Sequence, residues 1–206
     1  MNTFRYAIAV MLIVAIPAAI SYWLLIHPFV GFWRRLGTRV SYSVICALLA
    51  VIMTGMFLMR GCLLAVAWGF SPLLSLIGLG CLLVSLWLKL ELSKELPLRV
   101  MLGVPELTPD PSGSRMISQG IYTRIRHPRY LQMDMALTGF ALFANYPATY
   151  DFLVLWYVGI FMVVLLEERE LLARFGNDYR EYCRRVPRFI PRIKPGKGSA
   201  NDAGSP

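Results

Sequence analysis

With 206 residues, the chain is long enough for one domain or two small ones. Apolar residues make up 57% of it and charged ones only 16%, where soluble domains carry about 25% charge. So much apolar surface cannot be hidden inside a globule of this size, which excludes soluble dehydrogenases, disulfide scaffolds, collagens and disordered chains, and leaves a net charge of +9 to be explained.

Three runs without a charged side chain follow one another: Tyr6 to Ile26, Val40 to Met59 and Gly61 to Leu88. Each reaches the roughly 20 residues with which a helix crosses a bilayer. The first follows a single Arg5 and shows no clear small-residue cleavage site before Tyr22-Trp23, so it reads as a retained helix and not a secretory signal. Pro17 can bend that helix, and Ser71-Pro72 can restart the third, because proline lacks the donor N–H. Residues 60 to 70 can then form an outer interfacial loop, with the third helix starting near Pro72. Cys46, Cys62, Cys81 and Cys183 are scattered, with no C-x-x-C pair and no histidine spacing for zinc. They read as packing residues, and no metal is expected.

Residues 1 to 90 are thus an anchor of membrane helices. From Lys89 to Tyr130 the chain turns polar, with Pro97, Pro105, Pro109, Pro111 and Gly113, and reads as a cytoplasmic connection. Two short apolar segments follow, Leu131 to Ala144 and Phe152 to Leu166, separated by the turn-like Asn145-Tyr146-Pro147. At 1.5 Å per residue they are only about 21 to 23 Å long, short of the ~30 Å hydrocarbon core. They predict a tight helical hairpin whose ends continue into polar sequence. Residues 91 to 195 make up this core region, and 196 to 206 a small, polar tail expected to be disordered.

The basic charge follows the topology. Lys and Arg number three in residues 27 to 40, seven in 89 to 130 and nine after Leu166, against Arg5 and Arg60 elsewhere. By the positive-inside rule this predicts an all-α integral membrane protein of about five crossings, with the N-terminus outside and the C-terminus cytoplasmic; a bacterial inner membrane is its expected home. Anionic lipid headgroups, not nucleic acid, are the expected partner of these cations.

The chemistry lies where the hairpin meets the cytoplasm. Its first arm opens with Gly120-Ile121-Tyr122-Thr123-Arg124-Ile125-Arg126-His127-Pro128-Arg129-Tyr130, and its second closes with Glu167-Glu168-Arg169-Glu170. Pro128 suits a first helical turn, whose positive end would welcome a carboxylate. The blander alternative makes Arg124, Arg126 and Arg129 interfacial anchors and His127 a mere cap. Asp134 falls about one turn inside the apolar segment, on one face with Tyr130, Leu137 and Ala141. It is either a functional acid or a partner for a nearby arginine. Glu167 and Glu168, read as the end of the second arm, oppose the helix dipole and call for a cation, from the tail or from a ligand.

These residues carry a resemblance. The order Gly120-Ile121-Tyr122, Arg126-His127-Pro128-x-Tyr130, a hairpin, Glu167-Glu168-x-x-Leu171, Phe175-Gly176-x-x-Tyr179-x-x-Tyr182 and Val186-Pro187-Arg188-Phe189-Ile190-Pro191 is similar to the isoprenylcysteine carboxyl methyltransferase family, itself related to the membrane phospholipid methyltransferases. It covers roughly residues 103 to 193. The resemblance implies an S-adenosylmethionine-dependent methyltransferase with a cytoplasm-facing cofactor pocket, closed by the basic tail folding back. Arg115, Ile117, Gly120, His127 and Tyr130 fall where family members contact the cofactor, and Glu167 and Glu168 at the second cofactor motif. A helix N-terminus, His127 and Tyr130 can take a carboxylate, and Glu168 an ammonium or ribose hydroxyls.

In that reading Arg188 or Arg126 holds the second oxygen of a carboxylate acceptor. An amine or thiol acceptor needs a base, for which Glu167, Asp134 and Tyr130 are candidates. The acceptor is lipidic or prenylcysteine-like, with carboxyl methylation favoured, and its identity stays open, as does the oligomeric state. Where many family members have glycine two residues after the motif tyrosine, this chain has Gln132, which can narrow the pocket or donate a hydrogen bond. The alternatives are an enzyme like the membrane sterol reductases, using NADPH, and a noncatalytic membrane scaffold or transporter.

Overall fold

The structure, a computed structural model, describes residues 2–95 and 118–191. Arg115, Ile117 and the tail from 196 to 206 lie outside the described residues. Helix α1 (Asn2–Ile26) leads through a 3₁₀ turn, His27–Phe29, into the short α2 (Val30–Leu36) and then α3 (Thr38–Leu63) and α4 (Pro72–Glu95). A second 3₁₀ turn, Gly120–Thr123, precedes α5 (Pro128–Ala144), α6 (Pro147–Phe175) and α7 (Asn177–Arg185). The described residues are otherwise loops, so the protein is an all-α integral membrane protein.

Helices α1, α3, α4 and α6 are long and apolar enough to cross a membrane. Helix α5 has 17 residues, about 25 Å, and falls short of them. It nevertheless runs antiparallel to α1 along most of that helix: the Tyr130 ring meets Trp23 at 6.1 Å, and the Ala144 carbonyl accepts from Arg5 at the opposite end. Four of the five expected passes are thus helices long enough to span, and the shorter α5 stands at the place of the fifth. Between α3 and α4 the chain is not helical over residues 64–71, so the loop expected over residues 60 to 70 is shorter and starts four residues beyond Arg60.

Helix α1 is the hub. Ile8, Leu12, Ile13 and Ile16 are buried in one cluster with Ala141 and Ala144 of α5 and Leu153, Trp156, Ile160 and Val163 of α6. Lipid tails are as apolar as leucine, so close packing rather than water exclusion holds such helices together. The closest crossing is between α4 and α5: a Cβ on Gly139 would stand 2.7 Å from the Gly78 carbonyl oxygen, and one on Gly78 2.8 Å from that of Gly139. One pair of hydrogen bonds fixes the register of this crossing. Ser85 Oγ donates to the Gln132 carbonyl at 2.9 Å, and Gln132 Nε2 donates to Ser85 Oγ at 2.9 Å. Gln132 thus belongs to a helix contact.

Helix α3 touches the rest mainly through α1 and α2, and Ser41 and Ile45 are its buried residues. Val51 and Leu58 stand 71% exposed, an outward face suited to lipid. This corrects the reading of the cysteines as packing residues: among the described residues Cys46 and Cys62 sit exposed on α3, and Cys81 and Cys183 are half-buried.

Candidate functional site

Pro128 occupies the first turn of α5, and His127 precedes it as N-cap, yet the imidazole makes no capping hydrogen bond. It turns instead toward α6. Its Nε2 lies 3.2 Å from Glu168 Oε1, and its Nδ1 lies 3.7 Å from Glu167 Oε2. The ring is 5% exposed as a residue, tilted against Tyr130 at 5.8 Å and Phe189 at 6.0 Å. Tyr130, buried between Trp23 and His127, sets the wall against which the imidazole rests.

The two acids do not end α6, as the sequence reading had them: the helix continues to Phe175, two turns farther. The opposition to the helix dipole is therefore weaker than expected, because that effect fades beyond the last turn. The cations are present all the same. Arg126 Nη1 lies 2.8 Å from Glu168 Oε1, and Arg188 grips both oxygens, with Nε at 3.0 and 3.1 Å and Nη2 on Oε2. Such forked, charge-assisted contacts are the strong kind of hydrogen bond. Arg188 is held still further above its ordinary range, first by its hydrogen bond to Glu168.

Main-chain bonds bring Arg188 here. The Arg126 N–H donates to the Pro187 carbonyl at 2.9 Å and the His127 N–H to the Arg188 carbonyl at 3.1 Å, so the segment after α7 folds back along the entrance to α5. Tyr182 donates its hydroxyl to the Tyr122 carbonyl at 2.7 Å, tying α7 to the same strand of chain. Burial pushes the Tyr182 phenol up to about 12, which keeps this donor protonated. Cys183, which the sequence offered no reason to single out, accepts from Arg126 Nη1 at 2.7 Å.

The structure therefore gathers Arg126, His127, Tyr130, Glu167, Glu168 and Arg188 at one place. Gly120, at φ 56 in the region that favours glycine, opens the 3₁₀ turn. It lines a cavity of about 420 Å3 with Trp87, Glu91, Ile121, Thr123 and Arg124. Trp87 and Glu91 come from α4, Trp87 near the end of an apolar run and Glu91 just past it, and neither position gave a hint of a cavity. Asp134 is not in the ion cluster: its side chain pairs with a tryptophan instead of an arginine, Trp156 Nε1 donating to its Oδ1 at 2.7 Å.

Three buried polar atoms around the cluster have no hydrogen-bond partner among the described residues: Arg126 Nε, Glu167 Oε2 and Tyr179 Oη. Buried groups of this kind are uncommon and ask for a ligand or ordered water. A donor on a guanidinium beside an acceptor on a carboxylate suits a molecule carrying both a carboxylate and an ammonium.

Over residues 73–178, just over half of the chain, the sequence matches the family model described as phospholipid methyltransferase. That stretch begins on α4, earlier than the motifs suggested. The protein-S-isoprenylcysteine O-methyltransferase of Schizosaccharomyces pombe is 36% identical over 80 residues, 38% of this chain and 34% of that one. Methanethiol S-methyltransferase 2 of Bradyrhizobium diazoefficiens is 33% identical over 89 residues, 40% and 31% of the two chains. The Delta(14)-sterol reductase of Mus musculus is 30% identical over 95 residues, 43% of this chain and 22% of the other. The match thus spans between 22% and 34% of these relatives' own lengths. No solved structure matches the chain.

Proposed function

Because the chain belongs to the phospholipid methyltransferase family, we propose that it is a membrane methyltransferase that uses S-adenosylmethionine and acts on a lipidic or prenylcysteine-like acceptor, with carboxyl methylation favoured. The observation that carries this reading is His127 lodged between Glu167 and Glu168, with Arg126 and Arg188 closing the same site. Charge asymmetry supports the orientation. Arg5 and Arg60 lie toward the end that holds the loop 64–71 and the α5–α6 turn, and the arginine-rich segments at the other, which is taken as cytoplasmic.

When bound, S-adenosylmethionine supplies a sulfonium methyl that an electron-rich atom of the acceptor takes by direct displacement, leaving S-adenosylhomocysteine. The residues present fit its amino-acid end. Glu168, with Glu167 Oε2, would hold the ammonium; Arg126 Nε and the positive end of α5 would hold the carboxylate. His127 would keep the two acids apart and oriented. Arg115 and Ile117, with Gly120, are assigned to the cofactor through the family motif. For a carboxylate acceptor Arg188 would hold the oxygen that does not attack, and no base would be needed. The protein's contribution would then be alignment and exclusion of water. An apolar acceptor tail would reach the site sideways from lipid between helices.

Equilibrium binding to the detergent-purified protein tests this reading. S-adenosylhomocysteine binding in the micromolar range, lost in Glu168→Ala with the fold intact, is the expected result. The match to a sterol reductase favours a second reading, a reductase using NADPH. Binding of NADPH and not of S-adenosylhomocysteine would select it, and binding of neither would favour a noncatalytic scaffold.

A further inference from the structure

Glu168 already has a full set of partners. Its two oxygens receive Arg126, His127 and both arms of Arg188, so an ammonium can join it only if one of these leaves. The three differ in how firmly they are held. The His127 side chain is 4% exposed and packed against Tyr130 and Phe189. That of Arg126 is 11% exposed and also donates to Cys183. Arg188 is 40% exposed, and Glu168 is its ion-pair partner among the described residues. Its carbonyl is pinned by the His127 N–H, so the backbone stays while the side chain can swing.

We propose, on the basis of the cofactor reading above, that Arg188 is an internal stand-in for the cofactor's ammonium. It neutralises Glu168 in the empty protein, gives up that carboxylate when the ammonium arrives, and is thereby released to face an anionic acceptor. Both states keep Glu168 paired, as burial of a carboxylate requires. Charge is conserved at the carboxylate, because one monovalent cation replaces another. Arg188 is in this sense a positioning residue whose contact with the acceptor depends on the cofactor being in place.

The sign of one mutation tests this. A residue that merely lines the site weakens binding when removed, whereas a competitor strengthens it. In full-length protein in detergent, Arg188→Ala should bind S-adenosylhomocysteine about two- to five-fold more tightly than wild type, the size expected for freeing a half-exposed ion pair. The analogue with hydrogen in place of the α-amino group should show no such gain. If Arg188→Ala does not fold, Arg188→Lys, which lacks the fork, should show the same gain at smaller size. Unchanged or weaker binding by the folded variant, or an equal gain for both ligands, would overturn the exchange while leaving the cofactor reading intact. No binding of S-adenosylhomocysteine to wild type would overturn both.

Discussion

The two ends of the helix bundle each engage arginine, and they treat it in opposite ways. At one end Arg5, 3% exposed, donates Nε and Nη2 to the Ala144 carbonyl at 3.1 and 2.8 Å and reaches the Gly69 carbonyl as well. Asn145, in the left-handed conformation at φ 53, caps α5 there. Its side chain donates to the same Gly69 oxygen at 3.0 Å and accepts from Tyr150 at 2.9 Å, while its carbonyl accepts from the Trp68 N–H at 3.2 Å. A cation against a helix C-terminus and backbone carbonyls is a fixed seal, since those acceptors form with the fold and cannot be exchanged. At the other end the guanidinium groups of Arg126 and Arg188 meet a carboxylate on a side chain, and unpartnered buried atoms remain beside them. A charged residue whose partners are main-chain oxygens marks structure, and one paired with another side chain leaves room for a ligand.

The severest way to break this contrast is Glu168→Ala. It would strand Arg126 and Arg188 without their acid, lower stability by about 3 to 5 kcal/mol, and abolish S-adenosylhomocysteine binding; thermal melts and titration in detergent check both. Arg5→Met should separate the ends most cleanly. It removes a charged donor from two carbonyls, at a cost of about 2 to 3 kcal/mol, yet the protein that remains folded should bind ligand with wild-type affinity. If affinity falls in parallel, the two ends are coupled and the contrast fails.

A third change lies between the ends. Gly139→Ala puts a methyl group 2.7 Å from the Gly78 oxygen and from Leu82 Cγ, and should cost about 1 to 3 kcal/mol through forced separation of α4 and α5. The smallest effect is expected from Tyr182→Phe, which loses one hydrogen bond to Tyr122, about 1 kcal/mol. Because the folded Tyr182 phenol titrates at about 12, above its ordinary value of 10.0, its contribution is complete below pH 10 and declines as pH rises through 12. Melting curves of wild type and variant should therefore converge over that window.

Much of the scaffold was legible because proline and charge punctuate an apolar chain. Pro72, Pro128 and Pro147 each stand at the first turn of a helix, where a missing N–H costs nothing. Asn145 marked the hairpin turn. The end of α6 was not legible: Glu167 to Arg174 is polar because that part of the helix leaves the apolar layer, not because the helix stops. The short α2 also escaped notice, its seven residues being too few for a periodic signal.

For the site, sequence alone determined the inventory: basic residues at one end, a histidine before a proline, two adjacent acids after an apolar arm. It could do so because charge excluded from hydrocarbon must collect at helix ends. What it could not decide was which charge meets which. His127 and Glu168 are 41 residues apart, and Arg126 could equally have faced lipid headgroups. Only the antiparallel packing of α5 and α6, and the main-chain bonds that lay Pro187 and Arg188 along the start of α5, place two guanidinium groups and an imidazole on one carboxylate. Ion pairs depend on distances of a few ångströms, and such distances are set by tertiary contacts.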